Sequence, residues 1–168
     1  MLFHSISEDT EKLRDRLQCL KYLATHTVDA GLISTASGRS RMLLAIHEHG
    51  APAMRFPAWP VIQPALSQAS VKEKMSAAIV GACAAAMDGD LPGVTTALGE
   101  SGQAGVDGIH TYIDRGIPLP NAPVTLSGGW IYNRVAKKCV PVKGKSGSTP
   151  LVDTGQLYND FDWEITER

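Results

Sequence analysis

The sequence predicts an α+β domain in which a small, mainly antiparallel sheet packs against two long helices, with extended assembly arms. Three observations predict it. Residues 71–87 carry apolar positions at helical spacing, and Pro92 opens a second long helix at about 93–115. Short β-rich runs at about 27–33 and 161–166 supply strands. Prolines at 52, 57, 60 and 64, and again at 118, 120 and 123, exclude regular structure from most of what remains.

Taken in order, Ser5 followed by Glu8 forms a capping box, which opens a helix over about 7–24. Leu13, Leu17, Leu20 and Ala24 share one face of it and are expected to pack, with Glu11, Arg14, Asp15 and Lys21 opposite. Val28, Leu32 and Ile33 mark the first strand, and the polar run 34–38 a loop. A short helix at about 39–49 places Met42, Ala45, Ile46 and His49 on one side, with Gly50 as its left-handed C-cap.

The four prolines of 51–64 leave an extended segment, pinned by Phe56, Trp59 and Ile62 at a domain or subunit interface. The first long helix then carries Val71, Met75, Ile79, Ala82 and Ala86 on one stripe. Pro92 opens the second, which bears Gly99, Gly102, Gly105 and Gly108 at a spacing of three. Each interior glycine costs roughly 1 kcal/mol relative to alanine, so close backbone packing against helix 71–87 is the expected reason for them.

Residues 116–150 read as a flexible assembly arm within a single domain of residues 1–168, with a short helix near Gly128–Val135. The expectation is fast hydrogen exchange over 136–149 in the free subunit and protection once assembled. The C-terminal run 150–161 reads as a loop leading into a helix at 155–160 and a last strand.

Sixteen basic and seventeen acidic residues balance to a net charge of −1, so no global charge announces a nucleic acid or a membrane. Cys19, Cys83 and Cys139 lack any Cys-x-x-Cys spacing, which fits reduced thiols rather than a disulfide framework or zinc site. The apolar run 77–87 is too short to span a bilayer, and the N-terminus lacks a signal-peptide pattern. Assembly in the cytoplasm is the expectation.

Three constellations invite a chemical reading. His47, Glu48 and His49 are the nearest approach to a metal set, but residues two apart on a helix point about 200° apart and cannot share an ion. Glu48 is expected to make a capping or intersubunit hydrogen bond and His49 to pack. Asp153-Thr154-Gly155 has the form of an aspartic-protease signature, yet Gln156 follows the glycine and only residues 156–168 come after. Asp153 or Thr154 capping the helix at 155–160 explains the run better than catalysis. Arg134, Lys137, Lys138, Lys143 and Lys145 form a basic run with no acid between, expected to be a solvated loop or a contact to DNA phosphates or an acidic neighbour. No aromatic interleaves the lysines, which argues against sequence-specific recognition. No metal, cofactor or catalytic residue is assigned.

Ile46-His47-Glu48-His49-Gly50, then Phe56-Pro57-Ala58-Trp59-Pro60-Val61-Ile62-Gln63-Pro64-Ala65, then Pro150-Leu151-Val152-Asp153-Thr154-Gly155-Gln156-Leu157, stand in an order that resembles the neck or tail-completion family of long-tailed bacteriophages. The similarity covers about residues 26–166. His49, Trp59, Val61 and Asp160 depart from the Phe, Arg, Phe and Ser usual there. The resemblance implies a non-enzymatic virion protein at the head–tail junction, forming a ring, expected to be hexameric, that meets other head-completion and tail proteins while DNA passes through it. A tail-terminator protein capping the tail tube is the nearest alternative, and a small hydrolase built on Asp153 a remote one.

Overall fold

The computed structural model describes residues 2–50, 57–116, 127–133, 136–144 and 155–168. In chain order these give α1 (Leu2–Thr25), β1 (His26–Gly31), α2 (Gly38–His49), α3 (Ile62–Leu66), α4 (Ala69–Asp88), α5 (Leu91–Asp114), β2 (Gly129–Asn133), β3 (Lys138–Val142), α6 (Gln156–Asn159) and β4 (Asp162–Glu167). The mixed class and the two long helices are as the sequence predicts.

The α4–α5 hairpin is the frame. Gly89 ends α4 in the left-handed conformation (φ +79°), with its N–H and that of Asp90 returning to Ala86 O and Ala85 O. Asp90 then caps α5, its carboxylate accepting from Gly93 N at 3.0 Å, and Pro92 sits in the first turn, where a missing N–H costs nothing. One end of α5 contributes Val94 and Leu98 to a cluster with Cys19, Ala82 and Ala86. The other end contributes Val106, Ile109 and Ile113 to a second cluster with Val61, Ala65, Leu157 and Phe161.

β1 and β4 pair antiparallel, His26 opposite Glu167 through Gly31 opposite Asp162, and lie across α5. The α5 glycines do serve close packing, but chiefly against this ribbon rather than α4. A Cβ at Gly99 or Gly102 would stand 2.8 or 2.7 Å from the Trp163 ring, and one at Gly105 would stand 2.9 Å from Ala30 Cβ. Gly108 faces α4 through Val71, and a Cβ at Gly105 would also come within 3.9 Å of Met75 Cε.

Several local expectations are corrected. The first helix begins at Leu2, so Ser5 lies inside it and no capping box opens it. Its core face is Cys19 with Tyr22 and Leu23. Leu13, Leu17 and Leu20 are exposed instead, because α1 docks on α4 and α5 by its opposite side. On α2 the half-buried positions are Leu43, Leu44, Ile46, His47 and Glu48, while Met42, Ala45 and His49 are exposed. Gly50 takes φ +73° with ψ 178°, a region open to glycine but outside the left-handed helix. Residues 62–66 form a helical turn despite Pro64, which occupies its first turn. Gly129–Asn133 is a strand, not a helix: it pairs with Lys138–Val142 as a hairpin inside the expected arm. Residues 117–126, 134–135 and 145–150 of that arm, and residues 51–56, lie outside the described residues.

Candidate functional site: the junction of α2, the proline segment and the C-terminal loop

Residues far apart in sequence meet at one corner. Ser37 caps α2, its hydroxyl accepting from Ser40 N at 3.1 Å. The helix runs from there to Glu48, whose Oε1 accepts from Val61 N at 2.7 Å and Ile62 N at 2.8 Å. These are first-turn N–H groups of α3, with no carbonyl of their own helix to bind, and a carboxylate meets both the hydrogen bonds and the local positive potential. Val61 itself has no side-chain cap for α3, so Glu48 fills that role from another helix. The expected capping bond is therefore made within the chain.

Trp59 N donates to His47 O, and the two rings lie 6.0 Å apart, so the proline segment is tied to α2 along consecutive residues. Trp59 is half-buried and Pro60 exposed. Burial holds the His47 imidazole below its ordinary value of 6.5, opposed only in part by the neighbouring Glu48 carboxylate. Because the unfolded chain then binds a proton at higher pH than the folded one, stability is lost as pH falls below about 6.5. His47→Gln should flatten this part of the stability–pH curve, read by thermal melts between pH 7 and 5 (roughly the His titration range).

The C-terminal loop closes the same corner. Leu157 and Phe161 are buried with Val61 and Ala65 from the proline segment and with Ile109 and Ile113 of α5. His110 stacks on Tyr158 at 4.1 Å and donates from Nε2 to Tyr158 O at 2.9 Å. The Asp160 carboxylate takes hydrogen bonds from the Ser40 hydroxyl and Ser37 N, which hold it below the usual value of 3.8. That link between α2 and the C-terminal loop is present above the ordinary carboxylate pKa and is lost as pH drops through the lowered one.

The short helix expected at 155–160 is present as α6, but the residue at its N-cap is Gly155 at φ +76°, a conformation suited to glycine. Asp153 and Thr154 lie outside the described residues, as do Phe56, Pro150, Leu151, Arg134 and Lys145. Of the basic run, Lys137, Lys138 and Lys143 are exposed on and beside the β2–β3 hairpin, apart from the α2 corner. Sequence reasoning missed what accompanies them: Trp130 and Tyr132 on β2 are 70% and 61% exposed. Their alternation after Gly128-Gly129 was the available signal.

Among the described residues no group of three or more His, Cys, Asp or Glu is placed to hold a metal ion, and no helix is long and apolar enough to cross a membrane. A groove of about 490 Å³ between α4 and α5 is lined by small residues, Ala77, Ala78, Gly81 and Ala104, with Glu100 and Asp107 beside it. What the α2 corner can do is hold segments together: its polar groups are spent on backbone N–H groups and neighbouring hydroxyls. No protein-family model, curated protein or solved structure matches this chain.

Proposed function

We propose that this chain is a structural virion protein of the head–tail junction of a tailed phage, acting by assembly into a ring through which DNA passes. The reading starts from the three ordered sequence blocks. The observation that carries it further is that described parts of all three meet: Glu48 from the first holds Val61 and Ile62 of the second, and Val61 is buried beside Leu157 of the third. Residues that resemble one family's pattern and also form one packed unit support a shared architecture more than scattered matches would.

In this reading the ring is expected to be hexameric, its partners other head-completion, connector and tail proteins, and its place the neck of the virion after assembly in the host cytoplasm. Trp59 sits against its own α2 and not on an open face, so the proline segment supports a subunit interface indirectly, by fixing where residues 57–66 lie. The tail-terminator alternative differs in behaviour: a terminator stays hexameric alone and binds isolated tail-tube protein.

Negative-stain microscopy of the purified protein, alone and beside intact virions, tests the proposal. Rings that match a feature at the neck are expected. A monomer at all concentrations, absent from virions, would sink it. Rings that bind tail tube alone would favour the terminator.

A further inference from the structure

Charge in this chain is segregated in a way its net value of −1 conceals. Between Asp114 and Asp153 there is no Asp or Glu, while Arg115, Arg134, Lys137, Lys138, Lys143 and Lys145 all fall there. The rest of the chain carries all seventeen acids against ten cations. The β2–β3 hairpin lies in the middle of this basic stretch.

Its register sets the chemistry. Trp130 stands opposite Pro141 and Tyr132 opposite Cys139. Opposed residues of an antiparallel pair share a face, as do residues two apart on one strand. Trp130, Tyr132, Cys139 and Pro141 therefore form one face, and all four are exposed. Lys137, in the turn before β3 at φ +50°, and Lys143, just past its end, are exposed and set a cation at either end of the strand that carries Cys139 and Pro141. Trp130 and Tyr132 leave the backbone about 7 Å apart along β2, a spacing that unstacked bases can match.

We propose that this face binds single-stranded nucleic acid without sequence preference, Trp130 and Tyr132 stacking on bases while Lys137 and Lys143 meet the phosphates. Aromatic rings beside a row of cations are the two elements of such a platform. A protein partner fits less well, because lysine is depleted where proteins bury one another. A duplex fits less well too, since its bases are already stacked and leave the rings without a partner. The inference rests on the hairpin alone and is independent of the ring reading.

The test uses the full chain and a labelled oligothymidylate of about twenty nucleotides, followed by anisotropy and by quenching of tryptophan emission. Binding is expected to weaken about ten-fold in Trp130→Ala and again in Tyr132→Ala. The pair Lys137→Gln, Lys143→Gln should reduce the slope of log affinity against log salt by about 1.4. All four side chains are exposed, so these variants should keep the parent's circular dichroism and melting temperature. Three results would overturn the proposal: unchanged binding in Trp130→Ala, equal or tighter binding to duplex of the same length, or no binding at low salt. In the last case, self-association lost in Trp130→Ala would identify the face as a protein interface instead.

Discussion

Replacing Glu48 with alanine should lower stability by about 2–3 kcal/mol, because one carboxylate oxygen serves two backbone donors and both are then left at a half-buried helix start. For a chain of this size that corresponds to a fall of roughly 5–10 °C in melting temperature. Glu48→Gln keeps an acceptor oxygen in place but loses the charge, so it should recover about half of the loss. Asp in its place is too short to reach and should behave like Ala. Thermal melts of the three variants check the order. A Glu48→Ala protein as stable as the parent would mean that the Val61 and Ile62 N–H groups find other partners, and that α2 does not anchor the proline segment.

The second large effect concerns Gly102. Alanine favours a helix interior by about 1 kcal/mol over glycine, so on propensity alone Gly102→Ala should stabilise α5. The added Cβ would stand 2.7 Å from Trp163 Cγ and 2.8 Å from its Cβ, atoms near the backbone of β4 that cannot swing aside. A net loss of about 1–3 kcal/mol is expected as the ribbon is pushed off the helix. Gly81 on α4 supplies the contrast. Its added Cβ would meet only Ala97 Cβ at 3.9 Å, an ordinary contact, so Gly81→Ala should gain up to about 1 kcal/mol. Opposite signs for one substitution on two packed helices would separate close approach from intrinsic helix preference. Equal signs would remove the argument.

The sequence reading succeeded where one periodicity dominated and failed where two faces competed. Of the stripe Val71, Met75, Ile79, Ala82 and Ala86, Val71, Ala82 and Ala86 are buried and Met75 is half-buried, but Ile79 is exposed, because the face of α4 that meets α5 is built on small residues. On α1 the Leu13, Leu17, Leu20 stripe is the more apolar, yet the smaller face built on Cys19 is the buried one. Close packing there rewards a small side chain between Ala82 and Ala86, which hydrophobicity alone does not register. The glycines of α5 announced a close approach correctly but not by what, because the approaching Trp163 and Ala30 come from strands far away in the chain. The β2–β3 hairpin was hidden by its neighbours: prolines and glycines on both sides suggested an irregular arm, and five-residue strands carry too few alternations to outweigh that. At the α2 corner the residue types were legible, and Glu48 was expected to cap. That Val61 and Ile62 would be its partners could not be read, since spacing in sequence does not fix where a proline-broken segment returns.

The β1–β4 ribbon joins residues 131 to 141 positions apart in the chain, whereas the α4–α5 frame closes over a two-residue turn. Loop closure over so long a separation is entropically costly and slow relative to a local helix pair. The ribbon should thus form late in folding, on an α5 surface already shaped to receive it. Substitutions at the Gly102–Trp163 contact would then mainly accelerate unfolding and leave the refolding rate nearly unchanged, whereas those in the α4–α5 turn would slow refolding.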